Sequence, residues 1–235
     1  MLAATARRVR GARALLDGNG LALPLVGLNG ALGRHPDGTS FHAVPFTPAA
    51  ATAALGAFVA AGLHPCVYVS EPDIDVVLPP DPSSHPGHLA SLDGVTRTAD
   101  LPRTVATEPV YAFSVLGRPE GDLMPVAVAL DAAGFGFDCA PEPIWPGWGI
   151  TAMAPGVSKW AGVEAFCVAV GRSPDDVVAV GDNTNDVPML EAAAWPLTVA
   201  GSTAARLLPD ADTIDPPARD GWSEIPALLR RRAAS

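Results

Sequence analysis

Lysine is nearly missing from this 235-residue chain: of its fifteen basic residues, only position 159 is a lysine. A sequence that places arginine wherever any cation will serve, and lysine once, points to a position that needs a compact point charge on a flexible stem. Cysteine is scarce as well. Cys66, Cys139 and Cys167 are odd in number, widely spaced and set among apolar residues, which excludes a disulfide frame or a zinc site and fits reduced core thiols. Positive charge is outweighed, at a net −10, and is scattered except for Arg7, Arg8, Arg10, Arg13 and the terminal Arg230, Arg231 and Arg232. Nucleic acid is therefore excluded as a partner. The three terminal arginines fall in the last turn of an expected helix, where cations complement the dipole. No apolar run reaches membrane length: residues 49–62 have the length of a buried helix, and Asp131 interrupts residues 126–137. No charged segment precedes an apolar stretch and a cleavage site, so the expected location is the cytoplasm.

What is present is a globular chain. Hydrophobic residues make up 49% and mean hydropathy is positive, which excludes disorder, and the length suits one large domain or a core with a smaller inserted one. Residues 2–16 read as an Ala/Arg/Leu helix stopping near Asp17-Gly18-Asn19-Gly20, although Met1 to Thr5 also read as the middle of a strand. A strand at 25–28 leads to Asn29-Gly30, and a hairpin turns at His35-Pro36-Asp37-Gly38. The texture then changes. An Ala-rich helix at 48–62, a strand at 66–70, a Pro/Gly/Ser-rich region at 72–103 and further elements at 110–116 and 124–130 look like a separate α+β unit, closed by a Pro-Gly-Trp stretch at 141–155. From there the pattern alternates: helix 158–170, strand 177–180, helix 187–194, strand 197–200, helix 203–208, strand 211–214 and a final helix. Strands alternating with helices imply a parallel, doubly wound sheet.

Residues 177–190 read Val-Val-Ala-Val-Gly-Asp-Asn-Thr-Asn-Asp-Val-Pro-Met-Leu, a buried parallel strand ending in two carboxylates before a helix begins. Ligands of open α/β sheets bind outside the carboxyl ends of the strands, so Asp182 and Asp186 are hard oxygen ligands placed where Mg²⁺ and a phosphate are met. The alternative is an Asx-rich turn that caps a helix. The spacing is not that of an EF-hand, because the position requiring Gly is Val187 and the closing Glu is Ala193.

Thr5 before a helix, Lys159 at a helix start in Gly156-Val157-Ser158-Lys159, the loop Gly181-Asp182-Asn183-Thr184-Asn185-Asp186, and Asn29-Gly30-Ala31 occur in an order that resembles the haloacid dehalogenase (HAD) superfamily. The closest resemblance is to its Cof-like phosphatases with a large α/β cap. That resemblance implies an α/β fold with a Rossmann-like parallel core at 1–45 and 151–235 and an inserted α+β cap at 46–150. It implies Mg²⁺-dependent hydrolysis of small phosphorylated metabolites, sugar phosphates among them, through an aspartyl-phosphate. Asp182 would ligate the metal, and Asp186 would support it directly or through neighbours. Lys159 would neutralise phosphate charge, Thr5 would donate its hydroxyl to a phosphate oxygen, Gly181 and Asn185 would shape the loop, and Asn29 and Gly30 would meet substrate. Such chemistry is mostly positioning and electrostatics. Taken singly, Thr5 reads as an N-cap, Asn29-Gly30 as a tight turn, and Trp145, Trp148 and Trp160 as packing between cap and core. Where the family has Gly-Asn-Ala, this chain has Ala200-Gly201-Ser202.

The family's nucleophile lies in an Asp-x-Asp-Gly-Thr motif ahead of the Thr5 segment, and this sequence contains no such motif. Asp37-Gly38-Thr39 comes nearest, but its first Asp is replaced by His35, Arg34 precedes it, and it follows Thr5. A strand, its motif and a crossover helix occupy ~30 residues, so the first core strand is absent. Either the natural chain is longer or this is a truncated, inactive phosphometabolite-binding relative; the strand-like Met1 to Thr5 favours the first. The 235 residues alone are expected to hydrolyse little, since loss of a covalent nucleophile costs on the order of 10⁴ to 10⁶ in rate. A receiver-type acidic pocket fails on size and on the order of its Lys. Mutase chemistry and oligomeric state stay open.

Overall fold

A computed structural model describes residues 1–70 and 73–232; Pro72, which begins the Pro/Gly/Ser-rich region, lies outside the described residues. The chain divides into two compact units, Met1–Val157 and Ser158–Ser235.

The first unit opens with β1 (Ala3–Ala4), α1 (Val9–Gly18), β2 (Leu25–Gly27), β3 (Leu32–Arg34) and β4 (Ser40–Ala43), the strands forming one sheet in chain order. Strand β1 is parallel to β2 with Ala3 opposite Leu25. Residues 2–16 are thus not one helix. The alanines before Thr5 favour a helix intrinsically, but pairing with the fully buried Leu25 and Val26 captures them as strand, and local propensity yields to tertiary contacts. The hairpin at residues 35–38 joins β3 and β4 as expected.

The rest of this unit contains α2 (Pro48–Ala60), β5 (Cys66–Tyr68), β6 (Val76–Leu78), α3 (Pro86–Ala90), β7 (Val95–Arg97), α4 (Leu101–Thr107), β8 (Ala112–Arg118), α5 (Glu120–Ala132), β9 (Gly136–Pro141) and β10 (Trp148–Met153). Its six-stranded sheet runs β7-β6-β5-β8-β10-β9. Helix α2 starts where Thr47 accepts the Ala50 amide at 3.2 Å with Pro48 in the first turn. It buries Ala51, Ala54, Leu55 and Phe58, one face at helical spacing. Phe58 and Phe113 are fully buried and Phe46 sits edge-on to Phe113, with 5.4 Å between centroids; each such ring contributes about 1.5–3 kcal/mol by burial.

The stretch 141–155 is more than a closing linker. Residues 142–147 are irregular, whereas Trp148–Met153 pairs with β8 on one side and β9 on the other. Trp145 stacks on His85 within this unit, 5.6 Å between centroids, and Trp148 packs against its apolar core.

The second unit alternates as its sequence predicts: α6 (Lys159–Val170), β11 (Val178–Gly181), α7 (Val187–Ala192), β12 (Trp195–Val199), α8 (Thr203–Leu207), β13 (Asp212–Ile214) and α9 (Ile225–Arg232). The three strands form a parallel sheet in the order β11-β12-β13, a Rossmann-like α/β arrangement. Helix α6 is capped by Ser158, whose hydroxyl accepts the Ala161 amide at 3.1 Å, and it stops at Gly171 with φ 66°. Strand β12 begins two residues earlier than its apolar run suggested, because Trp195 and Pro196 extend the pairing to Val178 and Ala179. Among the described strands, β11 pairs only with β12, and β1 only with β2.

Candidate active site

The second unit brings Lys159, Asn185 and Asp186 together at the carboxyl end of β11. Lys159 Nζ donates to Asp186 Oδ1 at 2.6 Å and to Asn185 Oδ1 at 3.1 Å. Both charged groups are buried, so each depends on the other for compensation. The second Asp186 oxygen accepts the amides of Asp182 and Asn183, each at 3.0 Å. Asn183 and Asp186 thereby form a reciprocal capping box over the 3₁₀ turn Thr184–Asp186. The capping alternative is thus realised by Asp186, which at the same time holds the lysine. Asn183 was not among the expected site residues, although an Asn three positions ahead of a carboxylate is the sequence signal for such a box.

Gly181 is required here. A Cβ added to it would stand 2.5 Å from Asp186 Cβ, whose carboxylate is held by Lys159 and two amides. Asp182 differs from Asp186: its side chain is exposed at the end of the strand and has no hydrogen-bond or ion-pair partner among the described residues. Its backbone carbonyl accepts the Ala204 amide at 3.1 Å, so the start of α8 braces this loop even without a Gly-Asn-Ala sequence. One unengaged carboxylate with an ordered loop behind it suits Mg²⁺, which takes one or two carboxylates and keeps several waters. Among the described residues no group of three or more His, Cys, Asp or Glu could hold a metal.

The first unit holds Thr5, Asn29 and Gly30 in two interlocked loops. Thr5 donates its amide to Val26 O at 2.9 Å, and Thr5 O and Arg7 O accept the amides of Asn29 and Leu28 at 3.1 and 2.9 Å. Leu28, Asn29 and Gly30 take φ of 50°, 54° and 115° in succession and all three are buried. For Leu28 the left-handed region costs on the order of 1 kcal/mol or more, strain that persists only where surrounding bonds enforce it and that gathers at functional sites. Thr5 is not the cap of α1, because Arg8 occupies that position. Its Oγ1 accepts the Arg7 amide at 3.2 Å, which leaves the hydroxyl proton free to be donated. Arg7 is exposed.

Other candidates resolve simply. Asp37 closes an Asx turn, accepting the Thr39 amide at 2.9 Å and its hydroxyl at 2.6 Å; those bonds hold its carboxyl below the usual range. The three cysteines are free. Burial raises each thiol, Cys66 to about 11, so none is a ready nucleophile.

Comparison with known proteins matches residues 145–214 to the model of the haloacid dehalogenase-like hydrolases, the stretch that carries Lys159 and the acidic loop. A phosphoglycolate phosphatase of Halorubrum lacusprofundi is 35% identical over 169 residues, which span 62% of this chain and 71% of that protein. The chain belongs to the haloacid dehalogenase-like hydrolases. A second relative in this family, a phosphoglycolate phosphatase of Methanopyrus kandleri, is 36% identical over 70 residues. The chain matches only 30% of that protein's length. Among solved structures, a sugar phosphatase of HAD subclass IIB superimposes with a TM-score of 0.71 over 97% of this chain and 84% of that one, at 16% identity. That likeness carries the HAD fold.

Proposed function

We propose that these residues form the metal- and phosphate-holding part of a phosphomonoester hydrolase acting on small phosphorylated metabolites, sugar phosphates among them. The reaction would pass through an aspartyl-phosphate, and these 235 residues carry no Asp-x-Asp-Gly-Thr motif to supply its nucleophile. The observation that carries this reading is the contrast within one loop. Asp186 is spent on Lys159 and two amides, whereas Asp182 is presented unengaged at the end of a parallel strand. Asp182 would hold Mg²⁺, which when bound would supply charge neutralisation to a phosphoryl group. Asp186 fixes the lysine and the loop, Lys159 balances phosphate charge, and Asn185 and Gly181 keep the turn in shape. The Thr5 hydroxyl donates to a phosphate oxygen, while Asn29 and Gly30 face substrate. Residues 1–45 and 151–235 serve as core and 46–150 as the cap that selects the leaving group. Three free thiols, of which Cys66 and Cys167 are buried, accord with the cytoplasm.

The relatives named phosphoglycolate phosphatase and the sugar phosphatase neighbour supply the substrate classes to try first. Extending the chain upstream with a strand ending in Asp-x-Asp-Gly-Thr should give Mg²⁺-dependent turnover of an aryl phosphate, and Asp182→Asn in that longer protein should abolish it. The 235 residues alone should show almost none. Turnover that survives metal chelation, or an extended chain with none, would overturn the reading. A non-catalytic phosphometabolite-binding protein is the second reading, favoured by the lack of an Asp-x-Asp-Gly-Thr motif in the sequence. It predicts phosphate binding without turnover in both forms.

A further inference from the structure

Arg8 follows directly on the Thr5–Arg7 loop, yet its side chain is committed to residues far along the chain. Nη1 donates to Asp75 Oδ1 at 2.8 Å and to the Asp93 carbonyl at 2.7 Å, and Nη2 donates to the Asp93 carboxylate. The guanidinium is 12% exposed and Asp75 14%, a forked, largely desolvated arrangement rather than a surface pair. Arg10 Nε adds a second cation 3.5 Å from the same Asp75 oxygen. The receiving corner is built for this. Asp75 N donates to Gly94 O at 2.9 Å, and Gly94, at φ 62°, leaves no room for a Cβ, which would stand 2.7 Å from Asp75 Oδ1 and 2.8 Å from Arg10 Nε. Asp75 precedes β6 and Gly94 precedes β7, so the corner belongs to the six-stranded sheet, whereas Arg8 belongs to the loop beside β1.

The residues flanking Arg8 are bound in turn. Arg7 O accepts the Leu28 amide, and Val9 Cγ2 lies 2.8 Å from where a Gly27 Cβ would be. Movement at Arg8 is thereby transmitted to both interlocked loops. We propose that Arg8 is a positioning residue: clamped between Asp75 and Asp93, it fixes the turn that presents the Thr5 hydroxyl and makes the six-stranded sheet a mechanical support for that turn. The inference rests on the phosphate-binding role given to Thr5.

Two readouts on the 235-residue chain separate the two ideas: amide hydrogen exchange at Thr5, Leu28 and Asn29, and titration with inorganic phosphate in the presence of Mg²⁺. Arg8→Gln should speed exchange at those three amides and weaken phosphate binding, each about tenfold, with Arg8→Lys recovering part of both. Asp93→Ala, which removes only the exposed side-chain arm of the clamp and leaves the Asp93 carbonyl in place, should fold normally and raise exchange about threefold. Unchanged exchange in Arg8→Gln or Asp93→Ala, or a rise spread evenly over the first unit, would overturn the role of Arg8. A parent chain that binds no phosphate counts against the reading of Thr5, and the exchange measurements then decide Arg8 alone.

Discussion

The Lys159–Asp186 pair permits a quantitative test of how the acidic loop is held. The side chains are 7% and 10% exposed and 2.6 Å apart. An exposed pair of this kind contributes at most about 1 kcal/mol. A buried one behaves differently, because removing one partner strands an uncompensated charge at a cost of about 3–5 kcal/mol. Lys159→Met keeps the aliphatic stem and deletes only the charge. Asp186 Oδ2 still accepts two amides in that variant, so the cost should sit at the lower end, about 3 kcal/mol. Asp186→Leu strands the ammonium and also releases both amide donors, each worth about 1.5–3 kcal/mol when bound to a charge, so it should cost more than Lys159→Met. In the double variant the lysine penalty disappears and the amide penalty stays. Its loss should therefore fall short of the sum of the single losses by about 2 kcal/mol or more. Urea unfolding of the four proteins, followed by tryptophan fluorescence from Trp160 and Trp195 in the same unit, supplies the cycle. A coupling energy below 1 kcal/mol would refute the argument that the pair is desolvated and mutually dependent.

Gly181→Ala should destabilise by about 1–3 kcal/mol through overpacking, since its Cβ would stand 2.5 Å from that of Asp186; a denaturant midpoint equal to that of the parent would contradict the close approach. His88 is held neutral, its value lowered from 6.5 to about 4 by burial first and then by Arg8 and His85. Protons bind the unfolded chain before the folded one in that window, so this contribution is intact above pH 6.5 and declines as pH falls towards 4. It amounts to about 3 kcal/mol in full, and His88→Leu should flatten the profile between those limits. For Cys66, raised to about 11, the thiolate at pH 8 is about one part in 1000. Iodoacetamide should label it in urea and leave it unlabelled in the native protein over the same interval, as read by mass spectrometry.

The alternation of 158–214 was legible because its first two strands are short, largely apolar and followed within two residues by Gly or Asp, while each helix begins at Ser or Pro; those signals are local. The acidic loop was legible for the same reason. What escaped depends on partners distant in sequence. Ala3 and Ala4 become strand only because Leu25 and Val26 lie alongside. Trp148–Met153 hides in a proline- and glycine-rich stretch, and its place between β8 and β9 follows from pairing alone. Nothing in Leu28 announces a left-handed backbone, since leucine has no preference for it. The bonds of Arg8 to residues 67 and 85 positions away leave no periodic trace either. The separate commitments of Asp182 and Asp186, which the motif presents as a matched pair, emerge only from the hydrogen bonds.

Burial of the single lysine has a practical consequence for handling the protein. The side-chain amine of Lys159 is locked beneath Asn185 and Asp186, so amine-directed dyes and cross-linkers should leave it unmodified while the chain is folded. An adduct at position 159 thereby becomes a chemical signal that the acidic loop has opened.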